Sequence, residues 1–421
     1  MAQEIAVPSK RRFFYGWVVL FVSFATHFLA TGARATFSIF ILPLTGEFGW
    51  SRASISLTMS IHTFLQGLAQ PFAGRLVDVF GPKRMIAIGI GVMGAALVGL
   101  AFMQDIWLLY ILYGVVAAMA YASGGQVAQA SLISRWFSRR RGLAISIGST
   151  GTSLGQLIII PLAMALILGV GWRMSYGALG LSLLLITVPL TLTLLRNTPA
   201  EMGLAPDGDP PRLAEQISPT SPSLTAAVKP LTLREIVATR TFLLLTSGFF
   251  ICGFTVNLVI THLAPFGHEH GLEQMAAASA LGLSGVSSLV GVLATGALSD
   301  RYGRKNPLAA MYFVRGIGLL VIVFGSGDAA FFIGTLLYGL SNGVPGSMVP
   351  ALLADNFGIH SMGTLFGLVL VGHQVMGAIS SYLGGALFDA TGSYTAIFLA
   401  TALATFVGAI LIFLIREKKL A

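Results

Sequence analysis

Twelve apolar segments follow one another along the chain, separated by mostly short polar stretches. They cover residues 15–42, 53–77, 85–103, 107–134, 142–169, 174–195, 241–264, 275–298, 307–326, 329–354, 362–388 and 394–415. A helix that spans a bilayer needs about 20 mostly apolar residues. The pattern therefore predicts an all-α membrane protein with twelve transmembrane helices. Because twelve is even, we expect both termini on the same side of the membrane.

The longest polar stretch lies between the sixth and seventh segments and is rich in proline. Its prolines are Pro199, Pro206, Pro210, Pro211, Pro219, Pro222 and Pro230. Such a composition is typical of a linker between two folded units. The sequence thus predicts an N-terminal six-helix bundle (residues 1–195), a linker (residues 196–238) and a C-terminal six-helix bundle (residues 239–421).

The composition agrees with a protein that lies in lipid. Hydrophobic residues make up 55% of the chain, charged residues only 10%, and the mean hydropathy is +0.83. A soluble domain carries about a quarter charged residues. These values exclude a disordered chain, a coiled coil and a conventional soluble enzyme.

The positive charges are sorted by side. Of the 25 Lys and Arg residues, 21 fall in tails and loops on the side that holds the termini, whereas only Arg52 and Arg173 fall on the other side. Lys and Arg accumulate in cytoplasmic loops, so we predict cytoplasmic termini and a cytoplasmic linker, in the inner or plasma membrane. The net charge of +9 then follows from the topology and gives no basis for a nucleic-acid partner.

Signals for cofactors and metals are absent from the sequence. The one cysteine, Cys252, lies in an apolar segment, and the seven histidines show no zinc-ligand spacing. No phosphate-binding loop and no catalytic triad spacing occur, so the sequence predicts neither an enzyme nor ATP-driven transport. We expect Lys10, Arg11 and Arg12 to precede an uncleaved first helix rather than to begin a signal peptide.

Both halves carry the same short motif at matching positions. The loop after the second helix reads GRLVDVFGPKR, and the loop after the eighth helix, 222 residues later, reads GALSDRYGRKN. Both loops resemble the signature of the major facilitator superfamily, G-x-L-x-D-x-x-G-R-[RK]. From the two loops we select as gating residues Gly74, Asp78, Gly81, Arg84, Gly296, Asp300, Gly303 and Arg304.

This resemblance implies a gate and a place for the substrate. The superfamily uses these loops to lock its cytoplasmic gate, and its repeated six-helix halves bind substrate between them at mid-membrane. The first glycine of each motif suits close helix approach, and the second suits a tight turn. The aspartates can cap a helix of the opposite half. A plain basic turn is the alternative interpretation of each loop.

Three further stretches resemble the monocarboxylate transporter family, in particular the bacterial branch that includes oxalate–formate exchangers. They are residues 48–52 (FGWSR), 135–144 (RWFSRRRGLA) and 389–394 (DATGSY). Members of the family often place a carboxylate-binding Arg in helix 8 with an Asp four residues earlier. This chain has Val292 and Ser288 at those positions, so a substrate anion needs another anchor.

Two cations fall inside the predicted helices, Arg34 in helix 1 and Arg315 in helix 9, and no Asp or Glu lies deep in any helix. An ion inside a membrane is costly unless it is paired, hydrated or snorkelling, so each is a functional candidate. We predict that Arg34 binds a substrate carboxylate bidentately. The alternative is a structural arginine bonded to backbone carbonyls. We expect Arg315 to snorkel toward the cytoplasm.

Four histidines also fall in the predicted helices: His27, His62, His262 and His373. With no buried acid, histidine is the natural residue to carry a proton near neutral pH. We select His373 first and His262 second for proton coupling and substrate binding. His27 is a third candidate for the proton because it lies seven residues before Arg34, on nearly the same helical face. For each histidine, a packing role is the alternative.

Neutral polar side chains complete the predicted substrate site. Those selected are Tyr121 of helix 4, Asn257 of helix 7, and Tyr338 and Asn342 of helix 10. Each of them can hydrogen-bond a small carboxylate or a hydroxyl group. Each can instead join neighbouring helices, which is the alternative interpretation.

The sequence thus predicts a monomeric secondary active transporter that moves a small monocarboxylate, such as lactate or pyruvate, with a proton by alternating access. Its predicted partners are that anion, the proton and the lipid bilayer, without cofactor, metal or nucleic acid. One alternative is an exchanger or facilitator for another organic anion, of the oxalate–formate type. A proton-driven drug exporter usually needs an acidic residue inside the membrane, and the sequence shows none. A receptor built on this scaffold would carry an added cytoplasmic domain, which the sequence does not show either.

Overall fold

The structure is a computed structural model that describes residues 14–138, 141–208, 233–357 and 362–415. Within these ranges the chain is almost entirely helical and contains no strand, which confirms the predicted all-α fold. Twelve long helices follow the predicted order. They are α1 (Gly16–Phe48), α2 (Arg52–Phe80), α3 (Pro82–Leu100), α4 (Ile106–Trp136), α5 (Arg141–Val170), α6 (Trp172–Leu194), α7 (Arg240–Glu269), α8 (Gln274–Tyr302), α9 (Lys305–Phe324), α10 (Gly327–Asn342 and Val344–Phe357), α11 (Met362–Thr391) and α12 (Thr395–Phe413).

Ten of these helices are long and apolar enough to cross a membrane. The other two are α2 and α10. α2 has 29 residues, but buried polar side chains along it lower its hydropathy. α10 is broken at Gly343 into helices of 16 and 14 residues, each shorter than a full span. The chain is therefore a multi-pass membrane protein.

Besides α10, three helices contain irregular turns or breaks. α1 consists of two segments, Gly16–Ala35 and Phe37–Phe48, that meet at Thr36. α4 includes a π-helical stretch, Tyr110–Ala117, and is interrupted at Gly125. α6 includes a second π-helical stretch, Leu183–Thr187.

The predicted linker is only partly described. It contains two short 3₁₀ turns, Pro199–Met202 and Pro206–Gly208, and a short helix, Leu233–Val237. Residues 209–232, which hold five of its seven prolines, lie outside the described residues.

The two ends of the described chain define one membrane face. Phe14 packs on Trp136 at the end of α4, and Lys305 at the start of α9 donates a hydrogen bond to the carbonyl of Ile415. We call this the terminal face and the other the opposite face. On the opposite face, Glu47 of α1 pairs with Arg173 of α6.

Buried apolar residues show how the halves pack. One continuous core joins N-terminal residues such as Phe40 and Leu44 to C-terminal residues such as Leu263 and Phe266, near the opposite face. Near the terminal face, the C-terminal half instead has a separate core. Its members include Phe242, Leu308, Leu352 and Ile412. The halves are thus packed together toward the opposite face.

Candidate functional site

Arg34 lies two residues before the break in α1, with its side chain half-buried. Its Nε donates a hydrogen bond of 3.3 Å to Nε2 of His62 in α2. Nδ1 of the same buried ring lies 2.9 Å from the carbonyl oxygen of Tyr113 in α4. Because a carbonyl only accepts, this network assigns the proton to Nδ1 and leaves Nε2 as the acceptor. His62 is then a neutral imidazole.

Two tyrosines of α4 complete the surroundings of Arg34. The hydroxyl of Tyr113 donates to the Arg34 carbonyl oxygen over 2.8 Å. The ring of Tyr121 lies 5.4 Å from Arg34 Cζ, within range of a cation–π interaction. The Tyr121 hydroxyl is also 3.2 Å from Thr31 Oγ1, which ties the ring to α1. Tyr113 belongs to the π-helical stretch of α4, a feature that is frequent at functional sites.

The outer edge of the Arg34 guanidinium remains open. Nε is bonded to His62, whereas Nη1 and Nη2 have no hydrogen-bond partner among the described residues. The side chain is partly exposed, so these two amino groups can be reached from the space beside α1. A guanidinium edge with two parallel N–H donors matches a carboxylate in both geometry and charge.

The Arg34 group borders the interface between the halves. Thr63, the residue after His62 in α2, donates a hydrogen bond of 3.3 Å to Oδ1 of Asn257 in α7. One turn further along α2, Gly67 packs on Gln374 of α11, where a Cβ on the glycine would lie 2.7 Å from that of Gln374. Of the predicted substrate ligands, Tyr121 thus contacts Arg34, and Asn257 lies next to this group across the interface.

The other predicted ligands lie in the C-terminal half. The hydroxyl of the buried Tyr338 donates to Oδ1 of Asn342 over 3.4 Å. The half-buried His373 of α11 has its Nδ1 3.0 Å from Oε1 of Gln374, the residue that packs on Gly67. Gln374 thus reaches the interface, whereas the neighbouring His373 ring packs on Phe249 of α7. Tyr338 belongs to a group around Arg315.

Arg315 is fully buried, so the expectation that it snorkels toward the cytoplasm is wrong. Its Nε donates to Oγ of Ser341 over 2.9 Å, and its Nη2 to the Ser341 carbonyl over 2.7 Å. Its Nη1 lies 3.2 Å from Sγ of Cys252. No described carboxylate lies within 4.0 Å of it. With all three nitrogens bonded inside the protein, Arg315 joins α9, α10 and α7.

Two of the predicted proton carriers are buried in packing positions. His262 has both ring nitrogens bonded: Nδ1 lies 3.2 Å from the hydroxyl of Tyr394 and Nε2 lies 2.8 Å from the carbonyl of Ser381. His27 of α1 packs against Gly151 of α5. Neither histidine contacts Arg34. Among the described residues, no cluster of three or more His, Cys, Asp or Glu side chains is placed to hold a metal ion.

The first motif loop lies at the terminal face. Gly81 adopts φ +83°, as expected for a tight turn that favours glycine. The exposed Asp78 lies 4.0 Å from Arg135 of its own half, and Arg84 is exposed. A Cβ on Gly74 would approach only Val127, at 3.8 Å. The expected close helix approach at Gly74 is thus wrong for this conformation, because the tight packing of α2 lies two turns earlier, at Gly67.

The second motif loop repeats this geometry. Gly303 adopts φ +77°, and Nε of Arg304 forms an ion pair of 3.0 Å with Asp355 at the end of α10. A Cβ on Gly296 would have no described atom within 4 Å, so close approach is wrong here as well. The side chain of Asp300 lies outside the described residues.

Of the residues that surround Arg34, the sequence predicts Tyr121 as part of the site but not the others. His62 was recognised only as one of four histidines in helices, and Thr31 was not selected. Tyr113 contributes through its backbone carbonyl, which no sequence motif reveals. These groups meet through the packing of α1, α2 and α4, and the sequence offers no signal for that meeting beyond polar residues in apolar helices.

Comparison with known proteins places this geometry in a family. The family model of the Major Facilitator Superfamily matches residues 22–381 and, in a second match, residues 289–421. The uncharacterized MFS-type transporter YcxA of Bacillus subtilis is 28% identical over 389 residues, which cover 90% of each chain. Human monocarboxylate transporter 11 is 28% identical over 394 residues, covering 91% of this chain and 79% of that protein.

A solved structure shows the same fold. It is that of a bacterial homolog of the human lysosomal transporter Spinster in an inward-facing and occupied conformation. The TM-score is 0.71 at 16% identity, over 96% of this chain and 97% of the other. Since the fold and the relatives are those of transporters, the prediction that the chain is not an enzyme is confirmed. The chain belongs to the Major Facilitator Superfamily of membrane transporters.

Proposed function

We propose that this transporter carries small monocarboxylates, such as lactate or pyruvate, together with a proton across the inner or plasma membrane. The observation that carries the proposal is Arg34, a half-buried guanidinium within a transmembrane helix, with one edge bonded to His62 and the other edge open. A carboxylate fits that open edge. Relatives named monocarboxylate transporters support the same substrate class.

A substrate with one carboxylate fits better than one with two. The second cation within the described helices, Arg315, is fully buried, and each of its nitrogens is bonded to Ser341 or Cys252. Because the side chain is fully buried, its remaining N–H donors are not accessible to a substrate. A dicarboxylate would carry its second charge into the membrane interior without a cation, which is costly in a low dielectric.

The site works by alternating access between the two faces. The halves pack together toward the opposite face, so the space beside Arg34 opens toward the terminal face, which the distribution of Lys and Arg assigns to the cytoplasm. Rocking of the halves exposes the site to the other side. The loops of Asp78 and Asp300 close the terminal face in that second state.

A histidine carries the coupled proton in this proposal. His373 is the first candidate because it is half-buried and the neighbouring Gln374 packs across the interface, whereas His262 is fully buried. The anion neutralises Arg34, and the proton on His373 balances the negative charge that the anion carries. Anion and proton therefore cross together without net movement of charge, and the loaded carrier has the same net charge as the empty one.

Uptake of radiolabelled lactate into proteoliposomes tests the proposal. We expect an imposed inward proton gradient to accelerate lactate uptake. We expect Arg34→Ala to abolish most of the uptake. Arg34→Lys keeps the charge but loses the two-pronged donor, so KM should rise roughly tenfold. Arg240→Gln, at the exposed start of α7, is the matched control and should transport like the wild type.

Two results would contradict parts of this proposal. Full activity of Arg34→Ala would exclude Arg34 as the anion site. If uptake did not respond to the proton gradient but became faster when the proteoliposomes were preloaded with an organic anion, the protein would be an exchanger of the oxalate–formate type rather than a symporter.

A further inference from the structure

The first turn of α2 is completed by the other half of the protein. Ser51 caps the helix within its own half, because its hydroxyl oxygen accepts the N–H of Ser54 over 3.1 Å. The two preceding N–H groups bond across the interface to the carboxylate of Asp389 in α11. Arg52 N donates to Oδ1 over 3.0 Å, and Ala53 N donates to Oδ2 over 2.8 Å.

This arrangement satisfies backbone groups that a helix cannot satisfy itself. The first N–H groups of an α-helix have no intrahelical acceptor, and a carboxylate placed there is favoured by both hydrogen bonding and the helix dipole. Asp389 supplies that carboxylate only while α2 and α11 are in contact. Separation of the two helices exposes both donors and the carboxylate together.

The side chain of Arg52 adds a second contact between the halves. Its Cζ lies 3.5 Å from the ring centroid of Phe388 and 5.2 Å from that of Tyr394, distances typical of cation–π contacts. Tyr394 is itself fixed, since its hydroxyl lies 3.2 Å from Nδ1 of His262 and its backbone N–H donates to Glu269 over 2.9 Å. Arg52 thus stacks on Phe388 of α11 and on Tyr394, which α7 holds in place.

A glycine permits this approach. Gly385 lies one turn before Asp389 in α11, and a Cβ on it would lie 2.6 Å from the carbonyl oxygen of Arg52 and 2.7 Å from Cα of Ala53. Any side chain at this position would therefore push α11 away from the start of α2. The contact depends on the absence of one methyl group.

We propose that Asp389, Arg52 and Gly385 form the gate of the opposite face. The gate is closed in this conformation and must open for the cavity to face the other side. The motif that holds Arg52 (residues 48–52) meets the motif that begins with Asp389 (residues 389–394) at this gate. This proposal rests on membership of the transporter family and on alternating access, and it is independent of the substrate assignment.

Distance measurement between the halves tests the gate without any substrate. Spin labels on Gly169→Cys and Ser326→Cys report on the opposite face from the N-terminal and C-terminal half. Both sites are exposed, and the one native cysteine, Cys252, is buried. In the reconstituted full chain, double electron–electron resonance should show two distances between the labels, a short one when the gate is closed and a long one when it is open. In the wild type the short distance should dominate. Asp389→Ala should raise the population ratio of long to short distances by roughly 5- to 30-fold, the range for loss of one helix cap.

Two further variants separate the gate from general damage. Gly385→Ala should shift the distances in the same direction by steric contact, and Asp389→Asn, which keeps one acceptor oxygen, should shift them less than Asp389→Ala. Asp105→Asn is the matched control, since this exposed aspartate also starts a helix on the opposite face but makes no cap hydrogen bond there. Wild-type distances in folded Asp389→Asn and Gly385→Ala would overturn the proposal.

Discussion

His62 orients Arg34 through one hydrogen bond on each side of its ring. The carbonyl of Tyr113 receives the proton of Nδ1, so Nε2 is left to accept from Arg34 Nε. This bond fixes the rotation of the guanidinium about its long axis. The two amino groups are then held in one plane before an anion arrives, which reduces the ordering cost of binding.

Replacement of His62 should therefore affect affinity more than turnover. We expect His62→Leu to raise KM for lactate by roughly tenfold with a smaller change in kcat, because the open edge of Arg34 loses its fixed orientation. His62→Gln keeps a donor and an acceptor and should restore much of the affinity. Initial uptake rates over a range of lactate concentrations measure both constants.

The control for this prediction is His268→Gln, at an exposed position outside the site. It should leave KM and kcat unchanged. If His62→Leu and His62→Gln lowered kcat equally with an unchanged KM, His62 would have a role other than positioning Arg34.

At the scale of residues, the sequence predicts charges better than it predicts contacts. Arg34 could be selected because a cation in an apolar helix is costly without a partner. The residues that contact it could not be selected, because His62 and Tyr113 are 28 and 79 positions away from Arg34 and meet it only through packing. The same limit applies to Arg315, whose burial depends on the positions of Ser341 and Cys252.

At the scale of helices, glycine sets the distance between α1 and α5. Gly151 and Gly155 lie on one face of α5, four residues apart, and both pack on the backbone of α1. A Cβ on Gly155 would overlap the carbonyl oxygen of Phe28. Small residues at this spacing allow two membrane helices to approach closely.

Gly155→Ala should therefore destabilise the protein, by about 1–3 kcal/mol, because the added methyl group forces two backbones apart. Gly169→Ala in the same helix is the matched control, since a Cβ there meets no described atom within 4 Å. It should be neutral or slightly stabilising. Thermal unfolding of the purified, solubilised variants measures the difference, and equal Tm values would contradict the role of Gly155.

The sequence predicts the positions of all twelve helices but not their breaks. Hydrophobic length is enough to place a helix, because every backbone group in lipid must be bonded internally. The break in α1 depends on Thr36, whose hydroxyl donates to the carbonyl of Ala33 over 2.7 Å. The break in α10 lies at Gly343, whose N–H bonds Ser288 of α8 over 3.0 Å. A hydropathy pattern does not predict such local hydrogen bonds.

At the scale of the whole molecule, the halves are joined at several depths below the opposite face. Ser38 of α1 accepts the N–H of Ala264 in α7 over 3.2 Å, and Ser60 of α2 donates to the carbonyl of Ala378 in α11 over 2.6 Å. The repeated motif in the sequence predicts two related halves. It does not predict which face is closed, because a transporter of this kind must adopt both arrangements with the same residues.

A covalent link at this interface should stop the transport cycle. The bond between Ser38 and Ala264 keeps the two backbones within reach of a disulfide, which joins Cα atoms about 4.4–6.8 Å apart. Ser38→Cys with Ala264→Cys should lose lactate counterflow after mild oxidation and regain it with reductant. The oxidised protein should still bind lactate, measured by thermal shift, because the site stays open toward the terminal face.

The two single-cysteine variants are the controls for this link. Oxidation should leave both active, because the native Cys252 is buried in the C-terminal half. Normal counterflow by the fully oxidised double variant would contradict the inference that α1 and α7 separate during each cycle. Loss of lactate binding upon oxidation would instead contradict the assignment of the open side, since a site that opens toward the terminal face does not require these two helices to part.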